Sequence, residues 1–551
     1  MDTSLALVLL CAVLQSPEER RAGRFHEAYW DSVDEQGRLV GGKFQVFVPD
    51  DYRTAGRIPA PCTTLSSSLL PPNPANRLDL VVVGDGYQAA QLPTYASQAA
   101  SIASSFFNKE PYLRYQPLFA VHRVDVVSVD SGVDNDPAQG VQKNTAMDMG
   151  FWCNGIDRLL CVDVAKAYQF AGNAPDVDLV LALANSSTYG GAGYPPQDLA
   201  TGSAGNSASL EVVRHEFGHA LGNLADEYDY ADGTTYTGPE PSAGNASKLT
   251  AAQMAAAMTK WFRWLGVNDP AFDGLVSTFE GAVYSQFGIY RPTSNSLMRS
   301  LNRPFNLPSA EQIILQIYRV VRPIDDSSPT STIYGGTETL FVTPVVPQGT
   351  PLSIQWFQDG VSIPGATGAT LDLSTLVLGD CPVAIQVTVR DTTSMVRDEA
   401  ARAQWMTETR TFTVQTAGPG FANICFTTPN SAGPGAVMDH GGSNRIAAND
   451  LVLRTFGCPP NKTGIYFYGS NTTQTPLGNG VRCVASPFKR FPAIQTNALG
   501  DAELAVDLTN LPAGQVVQEG DVRYFQLWFR DPPGGGAQTD TSDALEVRFC
   551  P

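Results

Sequence analysis

The sequence carries little charge and contains no cluster of basic residues. Charged residues fill 16% of its 551 positions, and 54 acidic against 36 basic residues give a formal net charge of −18. Nucleic acids and anionic membranes are bound through a basic face. The composition therefore excludes these two classes of partner.

Long hydrophobic runs are also missing. No stretch reaches the roughly 18 uninterrupted apolar residues of a membrane-spanning helix, so no transmembrane span is predicted. A shorter apolar run at residues 5–14 predicts a signal peptide over residues 1–16 and a secreted or cell-surface protein. The run is preceded by Asp2 and by no Lys or Arg, so a buried first strand is the alternative.

Cysteine is sparse, with nine residues and no C-x-x-C pattern that would predict a metal site or a redox motif. Export would permit disulfides. Two bridges are expected among four cysteines of the last module, namely Cys425, Cys458, Cys483 and Cys550.

The length of the chain predicts three to five domains rather than a single core. After the signal peptide, residues 17–75 alternate apolar and polar positions and then become rich in Pro and Ser, which indicates a β-rich segment and a linker. Buried-strand patterns alternate with helical ones over residues 76–325, which predicts an α/β architecture. Short alternating strands around Trp356 predict an immunoglobulin-like sandwich over residues 326–418, and a last β-sandwich is expected over residues 419–551.

The stretch "NSASLEVVRHEFGHALG" predicts a helix that is capped by Ser207 or Ser209, with Gly222 at the position of the C-cap. His215 and His219 are four residues apart, so their rings project from one helix face. This H-E-x-x-H spacing fits two zinc ligands, with Glu216 as general base. Chance histidines on an ordinary helix are the alternative.

The third zinc ligand is less clear from the sequence. In the metzincin class, which this motif resembles, the glycine after the helix permits a ligand three residues later. That position holds Ala225, which has no ligand atom, and no histidine follows before His440. A carboxylate must serve, and we prefer Asp226 over Glu227. The carboxylate that does not bind would support a ligand histidine.

Metzincins also place a methionine turn beneath the zinc. "YRPTSNSLMRSL" supplies Met298 in a polar turn before a helical pattern, although packing alone is the alternative role. Tyr290 is a candidate oxyanion stabiliser, with aromatic packing as the alternative. Asp229 and Asp232 are interpreted as solvated loop acids, with a calcium site as the alternative.

The region from about residue 77 to 324 resembles the IgA-peptidase-type metalloendopeptidase family. The stretches that carry the resemblance are "VVVGDGYQAAQ", "FFNKEPYLRYQPLFAVHRVDVVSVDSGVD", "NTAMDMGFWCNGIDRLLCVD", "VLALANSSTYGGAGY", "RHEFGHALGNLADEYD" and "YRPTSNSLMRSL". It implies a metzincin-like zinc protease domain, with His215 and His219 as ligands, Glu216 as base and Met298 in the Met-turn. It does not imply immunoglobulin A as the substrate.

The strand in "LALANSSTYGGAGY" resembles the edge strand above a protease cleft. Tyr189, Gly190 and Gly191 would there pair with an extended substrate, while loop flexibility alone is the other interpretation of these glycines. The last module resembles β-sandwiches of large secreted bacterial proteins and is predicted to bind cell-surface or extracellular material.

These features predict a secreted endopeptidase with one catalytic zinc ion, acting on a protein or peptide substrate. The alternative is a non-catalytic adhesin built on a relic protease fold. Cys62, in the linker, is a candidate thiolate cap for the zinc of a latent form; a disulfide or a free buried thiol is the other role for it.

Overall fold

We analysed a computed structural model, which describes residues 22–33, 39–65, 74–349, 352–378, 381–416 and 420–551. The chain folds into two compact units. The first comprises the described residues of the ranges 1–326, 343–353 and 389–408, and the second comprises those of the ranges 327–342, 354–388 and 409–551. The predicted boundaries at residues 326 and 418 remain predictions, because both predicted β-sandwich segments contribute to the second unit.

The first unit combines a large sheet with helices. Its strands are β1 Gly23–Val33, β2 Leu39–Pro49, β3 Cys62–Thr64, β4 Leu78–Asp85, β5 Phe119–Val124, β6 Leu179–Ala184, β7 Gly191–Tyr194, β8 Leu199–Ser203, β9 Asn268–Asp269, β10 Gly274–Leu275, β11 Phe279–Ala282 and β12 Ser285–Arg291. Its helices are α1 Leu92–Phe106, α2 Tyr112–Tyr115, α3 Val164–Ala171, α4 Ser209–Ala220, α5 Ala251–Ala257, α6 Leu307–Val320 and α7 Glu399–Trp405.

Eight strands form one sheet in the order β2-β1-β7-β8-β6-β4-β5-β3. The central strands β5, β4, β6 and β8 are parallel, whereas β7 is antiparallel to β8 and β1 is antiparallel to β7. Helix α4 packs against β7 and β8. The predicted motif helix therefore lies beside the antiparallel part of the sheet.

Both faces of the sheet are buried, which explains the continuous apolar run of β4. Leu80 and Val82 point into one core with α1, α4 and α6, while Val81 and Val83 point into a second core with α3. Parallel strands covered on both faces lack a polar side. The α/β alternation expected over residues 76–325 is present.

The ends of α4 differ from the expectation. Ala208, and not Ser207 or Ser209, occupies the N-cap, without a side-chain cap bond. At the other end the left-handed residue is Asn223 (φ 47°) rather than Gly222. Gly222 is needed for another reason, since a Cβ there would lie 2.6 Å from the carbonyl oxygen of Gly218 and 3.1 Å from Ile313.

The second unit is built from strands, some of which begin or end in residues of the first. They are β13 Ile324–Ser327, β14 Ile333–Tyr334, β15 Thr339–Pro344, β16 Ser353–Gln358, β17 Val361–Ser362, β18 Thr370–Asp372, β19 Val383–Arg390, β20 Thr407–Val414, β21 Phe421–Ile424, β22 Val437–Gly441, β23 Val452–Phe456, β24 Thr463–Gly469, β25 Thr472–Leu477, β26 Gly480–Val484, β27 Lys489–Gln495, β28 Ala502–Ala505, β29 Val522–Arg530 and β30 Thr539–Arg548.

Two five-stranded sheets organise this unit, in the orders β14-β20-β19-β16-β17 and β21-β30-β29-β24-β27. Trp356 is fully buried and stacks on Phe412 with ring centroids 6.0 Å apart. Asp359 and Gly360, both with positive φ, form the turn between β16 and β17 that the D-G pair predicts. The β-rich character expected after residue 326 is present.

Three disulfides link Cys153 to Cys161, Cys381 to Cys550 and Cys425 to Cys483. Of the two bridges expected within the last module, one is formed and the other is not. The Cα atom of Cys550 lies 5.6 Å from that of Cys381, and Cys458 remains a buried free thiol. The expectation failed because pairing depends on distances between Cα atoms in the folded chain, which cannot be read from the spacing of cysteines in the sequence.

The predicted signal peptide, residues 1–16, lies outside the described residues. In the described part of the chain, no helix is both long and apolar enough to cross a membrane.

Candidate active site

Helix α4 carries the two histidines on one face, and backbone carbonyl groups outside the helix hold their rings. The Nδ1 atom of His215 lies 3.0 Å from the carbonyl oxygen of Leu297, and Nδ1 of His219 lies 2.7 Å from that of Leu224. Each ring thus donates its Nδ1 proton to a backbone carbonyl, which leaves Nε2 as a free lone pair. The two Nε2 atoms face each other at 3.1 Å.

Asp226 is the preferred third ligand, and the structure brings it to the histidines. Its Oδ1 lies 3.2 Å from Nε2 of His215 and 3.3 Å from Nε2 of His219. Its Oδ2 accepts a hydrogen bond from the hydroxyl of Tyr284. One carboxylate oxygen is therefore held by a phenol, and the other is presented to the two rings.

Tyr284 reaches Asp226 from an unusual hairpin. Strands β11 and β12 pair as far as Ala282 and Ser285, so Val283 and Tyr284 form a two-residue turn with φ of 47° and 64°. Such turns favour Asn and Gly, and a β-branched residue with positive φ is strained. Strain of this kind is often retained at functional sites, here beside the aspartate that faces the histidines.

A fourth group comes from the N-terminal hairpin of β1 and β2. Asp31 lies on β1, with Oδ2 at 2.9 Å from Nε2 of His215 and 4.0 Å from Nε2 of His219. Its Oδ1 accepts a hydrogen bond of 2.6 Å from the hydroxyl of Tyr228. Two residues earlier, the ring of Tyr29 stacks on the His219 ring, with centroids 4.3 Å apart.

The four groups fit a tetrahedral metal ion. Within the described residues, one set of His, Cys, Asp or Glu ligands meets closely enough to bind a metal: Asp31, His215, His219 and Asp226. Zinc bonds of about 2.0–2.1 Å place the corners of a tetrahedron about 3.3 Å apart. The five separations recorded among the four ligand atoms lie between 2.9 and 4.0 Å. Nitrogen and oxygen donors at these spacings suit zinc.

Unpartnered buried oxygens support the same conclusion. Oδ2 of Asp31, Oδ1 of Asp226 and both carboxylate oxygens of Glu216 are buried and accept no hydrogen bond. Buried anionic oxygens without partners are unfavourable unless a cation or a proton compensates them. A divalent cation between these groups would supply that compensation.

The charges at this site also shift its ionisation. Burial raises the pKa of Glu216 well above its usual range, and the charge of Asp31 adds to the effect. Burial lowers the pKa of His215, but while no cation holds Nε2 the negative charges of Asp31 and Asp226 outweigh it and raise that pKa well above the ordinary value. Burial raises the pKa of Asp226, but the adjacent histidines outweigh it and lower that pKa overall.

The carboxylate of Glu216 faces strand β7 at Gly191 and Gly193, whose lack of side chains leaves room for it. A Cβ at Gly193 would lie 2.9 Å from Oε2 of Glu216, and one at Gly191 would lie 3.4 Å from Oε1. The backbone of β7 thus runs directly against the carboxylate. An alanine at position 193 would crowd it.

Glu227, the second choice for the ligand, lies elsewhere. Its Oε1 accepts hydrogen bonds of 2.9 Å from the amides of Asn245 and Asn306, and its Oε2 accepts one of 2.7 Å from the hydroxyl of Ser296. Burial raises its pKa despite these bonds. Both oxygens of the Glu227 carboxylate accept hydrogen bonds from side chains of other segments, so neither is free to bind a metal.

Met298 lies beneath the helix. It is fully buried, and a Cβ at Gly218 would lie 2.5 Å from its Sδ atom. Its carbonyl oxygen accepts a hydrogen bond of 2.8 Å from the N–H of Glu227, while the preceding carbonyl, of Leu297, holds the His215 ring. The turn therefore supports both the helix and one histidine.

The remaining predicted residues occupy different places. The strand predicted to bind substrate is β7, which begins at Gly191, so Tyr189 and Gly190 precede it. Strand β1, and not open solvent, lies along the outer side of β7. Tyr290 is bonded through its backbone to Ser247, at 2.8 and 3.1 Å. Its role in oxyanion stabilisation remains a prediction.

The two acids suggested for calcium are engaged locally. Asp229 pairs with Arg299 at 3.0 Å, and Asp232 accepts hydrogen bonds from the N–H and hydroxyl of Thr234. No second cluster of metal ligands occurs in the part of the chain that the structure describes. Calcium therefore gains no support.

Asp31, Tyr228 and Tyr284 were not predicted from the sequence. Tyr228 is in the quoted acidic stretch, but Asp31 and Tyr284 are separated from the motif by long segments that carry no metal-ligand spacing. Cys62, considered as a cap for the zinc, is an exposed free thiol on β3 at the far edge of the sheet. The group that meets the histidines from the N-terminal segment is Asp31 instead.

Comparison with known proteins gives one informative match. Residues 69–274 match the family model described as IgA Peptidase M64, a segment that contains His215, Glu216, His219 and Asp226. The match supports a peptidase. No curated protein matches the chain.

A solved structure described as "Structures of Clostridium thermocellum CbhA fibronectin(III)-like modules" is 8% identical and covers 41% of this chain and 94% of that chain. Its TM-score of 0.11 is too low to support an argument.

Proposed function

We propose, on the premise that residues 69–274 match the IgA Peptidase M64 family, that this peptidase is a zinc-dependent endopeptidase. The observation that carries the proposal is the convergence of His215, His219 and Asp226 beside the unpartnered carboxylate of Glu216. Two imidazoles and a carboxylate are a donor set of catalytic zinc sites, in which a fourth position stays open.

A bound zinc ion would supply Lewis-acid polarisation of the scissile carbonyl. Glu216 takes a proton from the attacking water and passes it to the leaving nitrogen. Leu297 and Leu224 keep the rings of His215 and His219 oriented through their carbonyl oxygens.

Strand β7 is the proposed platform for the substrate. Its main chain runs along the Glu216 carboxylate because Gly191 and Gly193 have no side chains. An extended peptide can add to such a strand through main-chain hydrogen bonds and bring a backbone carbonyl to the catalytic groups. We propose that the substrate is a protein segment bound in this extended form.

Secretion remains part of the proposal. Three disulfides are consistent with an oxidising compartment. The signal peptide proposed for residues 1–16 would direct export.

The test combines metal content with proteolysis. Zinc per chain and cleavage of casein are measured for the wild type, Glu216→Gln and Asp226→Asn, each also combined with Asp31→Ala because Asp31 lies 2.9 Å from Nε2 of His215. Glu216→Gln should retain about one zinc per chain and lose roughly 100-fold or more of the cleavage rate, as expected for loss of a general base. Asp226→Asn should lose both zinc and activity.

Glu519→Gln serves as the matched control, because Glu519 is an exposed glutamate of the second unit. It should behave as the wild type does. If Glu216→Gln kept zinc and also kept the full cleavage rate, the mechanism would be wrong. If both the wild type and Asp31→Ala bound zinc and neither cleaved casein, a non-catalytic binding protein would be favoured.

A further inference from the structure

The N-terminal hairpin lies where the proposed substrate would bind. Strand β1 is antiparallel to β7, and Tyr29 is paired with Gly193, the residue that faces Glu216. In the sheet order β2-β1-β7-β8, β7 would be the edge strand if the hairpin were absent. The hairpin therefore occupies the position of an added strand.

The side chains of β1 reach the catalytic groups. Tyr29 and Asp31 are two residues apart, so they share one face of the strand. Tyr29 covers the ring of His219, and Asp31 directs Oδ2 towards Nε2 of His215 at 2.9 Å. A side-chain carboxylate, and not a main-chain carbonyl, is thus presented to the metal position. A strand bound in this way offers no peptide bond for cleavage.

Asp31 also completes the ligand set. With His215, His219 and Asp226 it makes four protein groups within 4.8 Å of one another, and four ligands close a tetrahedral zinc site. A catalytic zinc needs its fourth position for water or substrate. His215, Glu216, His219, Asp226 and Asp31 itself are each no more than 1% exposed.

From these contacts we infer that strands β1 and β2 form a built-in inhibitor, in which Asp31 is the fourth ligand of the metal and β1 blocks the substrate strand. The inference rests on the proposed function, whose regulation it describes. The chain is then latent while the hairpin is docked, and it becomes active when β1 leaves β7.

The hairpin is built so that it can leave as a unit. Strands β1 and β2 pair with each other along eleven consecutive residue pairs, whereas one residue pair joins β1 to β7. Polar contacts that hold the hairpin include Tyr228 on Asp31 and Tyr230 on the backbone of Gly41. Ala28, Phe44 and Val48 are buried in the core beneath, so undocking would also expose these apolar side chains.

The experiment probes access to the metal rather than turnover. The full chain is loaded with Co²⁺, whose visible spectrum reports ligand exchange, and titrated with acetohydroxamic acid. Wild type, Asp31→Ala and Tyr29→Ala are compared with Asp50→Ala, which removes a half-exposed carboxylate that directly follows the hairpin and pairs with Arg24. Thermal unfolding confirms that each variant is folded.

Asp31→Ala should bind the hydroxamate at a concentration at least about tenfold lower than wild type or Asp50→Ala requires, because a coordination position is vacated. The zinc affinity of Asp31→Ala should fall by about 10- to 100-fold or more, because loss of a residue that only orients a ligand already has an effect of that size. Its casein cleavage should rise above that of wild type. Tyr29→Ala should shift the titration in the same direction, which keeps the test valid if Asp31→Ala does not fold.

Equal titration midpoints for all four proteins would overturn the inhibitor and leave the proposed peptidase intact. If wild type and Asp31→Ala cleaved casein at the same rate, the inhibitor would likewise be ruled out and the peptidase would stand. Failure of every protein to bind Co²⁺ or Zn²⁺ would instead refute the metal centre itself, and with it both proposals.

Discussion

The hydroxyl of Tyr284 donates a hydrogen bond to Oδ2 of Asp226, while Oδ1 of the same carboxylate lies 3.2 Å from Nε2 of His215. The tyrosine thus fixes the aspartate in the orientation that a metal ligand needs. The backbone of the same turn contributes as well, since the N–H of Val283 donates to the carbonyl oxygen of Asp226. The β11–β12 hairpin therefore supports the proposed third ligand from two directions.

Replacing Tyr284 by Phe should weaken zinc binding by about 10- to 100-fold, the usual effect of removing a partner that orients a ligand. Competition with a chromogenic chelator measures the affinity. Tyr290→Phe is the control, since the recorded bonds of Tyr290 are made by its backbone. Unchanged zinc affinity in Tyr284→Phe would mean that Asp226 needs no support from the hairpin.

Glu227→Gln should separate the two candidate carboxylates. The Gln amide would place a donor against the amides of Asn245 or Asn306, so the free energy of unfolding should fall by about 1–3 kcal/mol. Zinc stoichiometry below the melting temperature should nevertheless stay at that of the wild type. Denaturant melts and metal analysis check both statements, and loss of zinc from a folded Glu227→Gln would reverse the order of the two residues.

Gly218 and Met298 should be energetically coupled. A methyl group at Gly218 would collide with the buried Sδ of Met298, and such overpacking costs about 1–3 kcal/mol, more than the helix propensity gained. Met298→Ala creates a cavity of its own, but in that background Gly218→Ala should be tolerated. A double-mutant cycle on the free energy of unfolding tests this coupling, and strict additivity would contradict it.

Stability should depend on pH through Asp178. Burial raises the pKa of this carboxyl to about 6, outweighing the hydrogen bond from the N–H of Asp79, whereas the unfolded value is near 3.9. The folded state therefore binds the proton more tightly, and the stability that this gives below about pH 4 is lost as the pH rises through about 6.

Asp178→Asn should remove that loss. Because the carboxyl is partly exposed, screening reduces the effect to about 1 kcal/mol, or a few degrees in melting temperature. The variant should melt above the wild type at about pH 8 and close to it at about pH 4. Asp176→Asn is the neighbouring exposed control. A gap of the same size at both values would show that another group is responsible.

Local patterns predicted the elements that carry the motif. The buried run of β4, the apolar stripe of α4 and the i, i+4 spacing of His215 and His219 are encoded by adjacent residues, so they were accessible from the sequence. The preference for Asp226 depends in the sequence on elimination, and in the structure on its distances to His215 and His219 and on the contacts that occupy Glu227.

Long-range partners could not be predicted in the same way. Asp31 and His215 are 184 positions apart in the sequence, and the pairing of β1 with β7 brings them together. Tyr284 reaches Asp226 from a turn whose residues, Val and Tyr, lack the usual turn signature. Strand pairing and strained turns are decided by tertiary packing, which one sequence does not display.

The sheet order has a practical consequence for handling this protein. Strand β2 closes one edge of the eight-stranded sheet and β3 closes the other, and both strands precede residue 69, where the family match begins. A fragment trimmed to residues 69–274 would expose β7 at one edge and β5 at the other. Unpaired backbone groups on such edges are templates for aggregation. Expression of the catalytic region should therefore begin upstream of β1, with any removal of the hairpin left until after folding.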